Sequence, residues 1–320
     1  VEQSTLPLDH KRSKRVMNKQ SGFTKNDVEI NAEGTMLRGW IYLPQRDDIT
    51  PIPAIVMAHG YAGLKEMFWE PYAEKFATNG FSVLLFDHRN FGDSDGTPRH
   101  EIDPWQQVED YRHVVTYASS LPEVDSNAIG VWGTSYSGGH VLVVGATDKR
   151  VKCVVSQVPT ISGSKIALRR VNGEALTELL TSFAEDRLNR QRGEDPVYYS
   201  VVSGGQFENS VYKSKDAIEF YTKGSEKFIN KVTLRSIELS RGYEPGAFIA
   251  NISPSPLLML VAKNDFITPT DLSLAAYEHA LEPKKLVLIP GGHFDPYKKY
   301  FEQSSSEAVE WFKTHLLDWQ

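Results

Sequence analysis

"GVWGTSYSGG", residues 130–139, sets a serine among small residues directly after an apolar run. The stretch "AIGVW" before it reads as a strand covered on both faces, and "SGGHVLVVGA" after it reads as the start of a buried helix. Ser135 therefore falls at a strand-to-helix turn. A G-x-S-x-G turn bends the chain sharply at its serine, and it needs small neighbours two residues to either side so that strand and helix can approach. Gly133 meets the first demand. The second position is Ser137, with Gly138 and Gly139 giving further clearance. The helix that follows would aim its N-terminal amides at the serine, which suits a developing oxyanion. In this setting the pentapeptide predicts that Ser135 is a nucleophile and that Ser137 stands where glycine is usual.

Outward from the turn, short β-branched runs alternate with helix-period segments. The strand candidates are "DVEINAEG", "MLRGWIYLP", "AIVMAHG", "FSVLLFDHR", "AIGVWGTS", "VKCVVSQVP", "LLMLVAKND" and "KLVLIPGG". The first two read as a hairpin bending at Asn31, Glu33 and Gly34. The other six are nearly continuous apolar runs, as in a parallel sheet. Helical periodicity marks Lys65–Asn79, Asp103–Ser120, Ser137–Thr147, Asp271–Leu281 and Ser304–Leu317. The pattern predicts a doubly wound α/β fold, with a mostly parallel eight-stranded sheet and helices on both faces. Residues 160–251 break the alternation. They carry helix-like segments at Glu174–Asn189, Ala217–Phe228 and Thr233–Leu239 and no convincing buried strand. A gap that long is predicted to be a helical cap folded over the carboxyl edge of the sheet. The expected organisation is an N-terminal arm over residues 1–27, a core over 28–159 and 252–320, and the cap over 160–251.

A nucleophilic serine needs a base and a group to orient it, and at such an elbow they follow in the order acid, then histidine. Of nine histidines, His293 in "LVLIPGGHFDP" follows a strand and two glycines, at the edge where Ser135 lies. Asp265 in "LLMLVAKNDFITP" sits just beyond the preceding strand, and Asp295 is a weaker alternative with no strand to position it. The oxyanion donors are predicted to be the backbone amides of Tyr136, after the nucleophile, and of Tyr61 in "AIVMAHGYAG". His59 reads as a residue that holds this loop. Phe183, Tyr198, Tyr199, Phe207 and Tyr212 are the candidates for a substrate wall contributed by the cap.

Composition narrows the class. A chain of 320 residues with 40% hydrophobic and 24% charged residues is ordinary for a globular protein, and a net charge of −6 gives no reason to expect nucleic acid or an anionic membrane as partner. No apolar stretch approaches the ~18 residues that span a bilayer. The basic cluster from His10 to Arg15 lacks a following apolar segment and reads as part of a solvated arm. The single cysteine, Cys153, excludes an intrachain disulfide and reads as a small buried apolar residue, which fits a cytoplasmic setting. No spacing of His, Cys or carboxylates suggests a metal site, and no glycine-rich phosphate cradle occurs, so no cofactor is expected.

"AHGYAGLKE", "LLFDHRNFGDSDG", "GVWGTSYSGGH", "AKNDFITP" and "PGGHFDPY" together resemble, in order, the stations of the α/β-hydrolase superfamily, from about Val28 to Leu317. Within it the chain looks most like the dienelactone-hydrolase-like and Xaa-Pro-peptidase-like branch, and like polyketide transferase-like members. That resemblance implies a Ser135, Asp265 and His293 triad cleaving an ester, lactone or thioester of a small organic substrate through an acyl-enzyme. Two alternatives are an acyltransferase passing a polyketide-type acyl group to an alcohol, and a non-catalytic ligand-binding protein on the same fold. A homodimer is compatible with either.

Overall fold

The computed structural model describes residues 22–48 and 50–317; the basic cluster of the N-terminal arm lies outside them. Strands β1 (Phe23–Ala32) and β2 (Thr35–Pro44) form the expected antiparallel hairpin, turning at Glu33 and Gly34. β1 begins four residues before the expected run, because Phe23 packs on Tyr42 and the Lys25 ammonium lies 3.4 Å from the Trp40 ring centre. Residues 23–27 are thus part of the sheet rather than of an arm.

Strands β3 (Ile52–Ala58), β4 (Ser82–Phe86), β5 (Val124–Thr134) and β6 (Val151–Gln157) follow, with β10 (Leu257–Ala262) and β11 (Lys284–Ile289) after a long insertion. They complete an eight-stranded sheet in the order β1-β2-β4-β3-β5-β6-β10-β11. Every pairing from β4 to β11 is parallel, and β2 joins β4 antiparallel. For the inner strands the near-continuous apolar runs are explained by burial on both faces, with Ile55, Val56, Val131, Val154 and Leu260 all fully buried, whereas edge strand β11 is only partly covered.

Helices α1 (Glu70–Thr78), α2 (Pro104–Ser119), α3 (Tyr136–Thr147) and α8 (Thr270–His279) connect the strands, and α9 (Phe301–Phe312) follows the last of them. The Asp103 carboxylate caps α2 by accepting from the amides of Trp105 and Gln106, with Pro104 in the first turn. α1 starts at Glu70 rather than Lys65 because Lys65 is drawn into a buried cluster: its amide and ammonium bond Asp87 at 2.7 and 2.8 Å. Cys153 is free and fully buried. None of the described helices is long and apolar enough to cross a membrane.

Between β6 and β10 lie α4 (Gly163–Arg170), α5 (Gly173–Gln191), α6 (Lys215–Gly224) and α7 (Leu234–Arg241). The expectation that this stretch holds only helices is corrected. β7 (Tyr198–Val202), β8 (Ser210–Tyr212) and β9 (Val232–Thr233) form a second, three-stranded sheet in the order β8-β7-β9, with Val201 and Val202 fully buried. Runs of five, three and two residues are too short to establish a period of two.

Candidate active site

The turn between β5 and α3 holds Ser135 at φ 56° and ψ −114°, a left-handed conformation that a non-glycine residue adopts only where its surroundings impose it. Three backbone bonds impose it. The Ser135 amide donates to the Gln157 carbonyl at 2.9 Å, and its own carbonyl accepts from Thr160 at 2.8 Å and Gly139 at 3.3 Å. The glycines make room: a Cβ on Gly133 would lie 2.1 Å from the Ser137 carbonyl oxygen, and one on Gly138 would lie 2.8 Å from the Gln157 oxygen. Clearance one residue later than usual is therefore a physical requirement, and Ser137 is left free to carry a hydroxyl. That hydroxyl donates to the His59 carbonyl and lies 2.8 Å from His88 Nε2.

The loops after β10 and β11 bring Asp265 and His293 to Ser135. His293 Nε2 lies 2.9 Å from Ser135 Oγ, and His293 Nδ1 lies 2.7 Å from Asp265 Oδ2. All three side chains are almost entirely buried, Ser135 most open at 9% exposure. Asp265 Oδ1 accepts the amides of Ile267 and Thr268 at 2.8 and 2.9 Å, which fixes the carboxylate plane and leaves Oδ2 for the imidazole. Thr268, which sequence reading passes over, adds a hydroxyl 2.9 Å from Asp265 Oδ2 and 3.2 Å from His293 Nδ1. With Nδ1–H directed at Asp265, Nε2 presents a lone pair to the serine hydroxyl. Asp295, the alternative acid, accepts from the Gly292 amide at 2.6 Å and shapes the turn that carries His293.

The loop after β3 approaches the serine closely, since a Cβ on Gly60 would lie 2.8 Å from Ser135 Cβ and 3.3 Å from its Oγ. The amide of Tyr61 follows in this loop, and that of Tyr136 opens α3, where the first turn's amides have no acceptor within the helix. Behind them His59, His88 and His140 are fully buried, and burial holds each below the usual imidazole range, His140 down to about 3. They are neutral, and their bonds fit single tautomers. His59 Nδ1 donates to the Gly60 carbonyl at 2.9 Å, while its Nε2 accepts the His88 amide at 3.3 Å.

A cavity of about 680 Å³ opens on Ser135 and His293 and is walled largely by the insertion, with α4, α5, β8 and α7 all contributing. Tyr199 and Tyr212 line it; Phe183, Tyr198 and Phe207 do not. Phe183 is buried on α5, and Tyr198 stacks on Phe207 while its hydroxyl donates to the Arg99 carbonyl at 3.2 Å. Arg170 also faces the cavity, its guanidinium 4.9 Å from the centre of the Tyr212 ring. Glu66, Asp87 and Asp93 approach one another closely enough to suggest a cation site, but the Lys65 ammonium already bonds Asp87 and Asp93 there.

The strand order, the strained serine between β5 and α3, and an aspartate and a histidine presented after β10 and β11 define a serine hydrolase of the α/β-hydrolase class. The family model described as X-Pro dipeptidyl-peptidase (S15 family) matches residues 33–295, and the chain belongs to that family. It is similar to the quorum-quenching protein AidA of Acinetobacter baumannii, 30% identical over 90% of this chain and 94% of that protein. The thiohydrolase AneE of Aspergillus aculeatus is 32% identical over 82% of this chain and 84% of its own length. Among solved structures, the α/β hydrolase GrgF from Penicillium superposes with a TM-score of 0.79 at 28% identity, covering 92% of this chain and 99% of that one.

Proposed function

We propose that Ser135, His293 and Asp265 act as nucleophile, base and orienting acid in cleaving an ester, lactone or thioester. The observation that carries this reading is the continuous relay from Ser135 Oγ through His293 to Asp265, at 2.9 and 2.7 Å, at the base of the cavity. His293 Nε2 takes the serine proton as Oγ attacks the carbonyl carbon, and the Tyr61 and Tyr136 amides receive the oxyanion. Collapse of the tetrahedral species breaks the bond to the alkoxide or thiolate, which leaves with the proton from His293. Water then attacks the acyl-enzyme, giving a proton to Nε2, which returns it to Ser135 as the acid is released. Asp265 accepts from Nδ1–H throughout and steadies the imidazolium. The apolar and aromatic wall formed by Ile166, Leu179, Tyr199, Val211, Tyr212 and Ile237 suits a small acyl group. The thiohydrolase relative supports thioesters within the substrate class, and the insertion acts in this reading as a cap over the acyl chain.

A second reading, acyl transfer to an alcohol, is supported by the likeness to the polyketide transferase GrgF of Penicillium, 28% identical over 92% of this chain. Both are tested by fluorophosphonate labelling of the intact protein, with release from a p-nitrophenyl ester and from an acyl N-acetylcysteamine thioester followed in parallel. The expected result is one adduct and steady turnover in the wild type, with no adduct and turnover lower by about 10⁴-fold or more in Ser135→Ala. A burst that turns over only when an alcohol is added indicates transfer. An unlabelled wild type sinks the catalytic reading.

A further inference from the structure

We propose that Tyr221, on cap helix α6, is a positioning residue for the Tyr61 amide, so that the insertion completes the oxyanion hole as well as walling the cavity; this rests on the function proposed above. Tyr61 is joined to two peptide planes. The first carries the Gly60 carbonyl and the Tyr61 N–H, which point in opposite directions in a trans peptide. His59 Nδ1 and the Gly63 amide hold that carbonyl at 2.9 and 3.2 Å, both from within the core. The second plane carries the Tyr61 carbonyl, and it accepts the Tyr221 hydroxyl at 2.6 Å, from the cap. With both carbonyls fixed, the direction of the Tyr61 N–H is fixed as well.

The next residue shows why the second clamp is needed. Ala62 sits at φ 52°, in the left-handed region, where alanine persists only when neighbouring contacts hold the chain. The Tyr221 hydroxyl grips the peptide between Tyr61 and Ala62, at the strained end of the loop. Its ring cannot swing away. It stacks on Tyr212 with centres 5.9 Å apart and packs against Phe228 at 5.3 Å. Burial keeps the phenol protonated, so the hydroxyl remains a donor at any working pH. The preceding residue, Phe220, stacks at 4.4 Å on Phe294, the neighbour of His293. Two consecutive cap residues thus touch the loop of the oxyanion amide and the loop of the base. Tyr212 also lines the cavity and meets the Tyr61 ring edge-on with centres 6.1 Å apart, so one aromatic cluster joins the cavity wall, Tyr61 and Tyr221.

The test is Tyr221→Phe, which removes one oxygen and keeps the ring. Loss of an oxyanion donor outright costs about 10²–10³-fold in kcat, and a donor left in place but free to turn costs less. The variant is expected to lower kcat by roughly 10- to 30-fold on the same ester and thioester, with KM within about twofold. Inhibition by an acyl trifluoromethyl ketone, whose hemiketal oxyanion occupies the same hole, is expected to weaken by the same factor as kcat/KM. Thr222→Ala, which removes an exposed hydroxyl bonded to the Ile218 carbonyl on the same helix, is expected to leave both unchanged. A Tyr221→Phe kcat within twofold of wild type overturns the proposal. So does a fall in kcat with undiminished ketone affinity, or a loss that only tracks the unfolded fraction in a melting curve. Absence of labelling in the wild type overturns the proposed function, and this inference with it.

Discussion

Ser135 and Tyr221 face the same part of the molecule, yet they are held by different physics. The floor of the site is set by backbone. Ser135 is fixed by three main-chain hydrogen bonds and by glycines that admit no Cβ, and neutral histidines with single tautomers hold the Gly60 loop beside it. The roof is set by side chains. α5 is nineteen residues long and buries only Phe183 and Asp186 fully, and the insertion meets the floor through rings and hydroxyls such as Phe220 and Tyr221. The difference teaches that a change in the floor should act on the existence of the site, whereas a change in the roof should act on what the site accepts and how well it is aimed.

The severest way to break the floor is Gly133→Ala. Its Cβ would meet the Ser137 carbonyl oxygen at 2.1 Å and the carbonyl carbon at 2.6 Å, which are backbone atoms that cannot rotate aside. Relief requires β5 and α3 to separate, at a cost of about 3 kcal/mol or more. The expected outcome is a lower urea midpoint and loss of fluorophosphonate labelling. Wild-type labelling in a folded variant would show that the elbow tolerates a Cβ and that the floor is softer than its packing implies.

Acid should separate the two regions next, because the insertion contains no histidine, whereas the floor buries His59, His88 and His140 beside His293. His59, His88 and His140 are held below the ordinary imidazole value by burial. In the unfolded chain each titrates near 6.5. Above that pH both states are neutral and stability is unaffected. Below it the unfolded chain takes up protons that the fold refuses, so stability falls as pH falls. The loss approaches about 1.4 kcal/mol per pH unit for a histidine charged in the unfolded chain and neutral in the fold, and for His140 it continues down to a folded value of about 3. Urea unfolding at pH 7, 6 and 5 checks the slope. A flat profile would mean that the histidines open to water and do not hold the loop of Gly60 and Tyr61.

The same contrast explains how much was legible in the sequence. Ser135, Asp265 and His293 each stand just beyond the carboxyl end of a strand with an apolar run, and a doubly wound sheet delivers such strand ends to one edge. Gly133 and Gly138 are legible because a close approach leaves glycine behind as its mark. Thr268 was not: a threonine three residues after an aspartate carries no period and no spacing, although its hydroxyl touches both Asp265 and His293. Ser137 read only as a small residue, and its bond to the His59 carbonyl depends on a loop 78 residues away in the chain. In the roof, aromatic content marked the right region without fixing which faces turn inward. Tyr199 and Tyr212 line the cavity, whereas Tyr198, adjacent to Tyr199 on β7, points away to pair with Phe207. Alternation along a strand separates neighbours in this way, but a five-residue strand offers too few positions to show its phase.

The mildest change sharpens the comparison from the roof side. Leu179 lies on α5, lines the cavity and is only partly buried, so it supports the fold little and is placed to touch a ligand in the cavity. Leu179→Ala removes apolar contact worth about 1 kcal/mol to a ligand that reaches it, and nothing to one that does not. The expected result is a rise of about three- to tenfold in KM for a long-chain p-nitrophenyl ester, no change for the acetate ester, and kcat unchanged for both. Stability should move by less than about 1 kcal/mol, because no cavity is sealed in the core. Chain-length dependence is the deciding readout. An equal rise in KM for acetate and long-chain esters would place Leu179 beside the scissile carbonyl, and a fall in kcat would mean that α5, like α6, helps to set the floor.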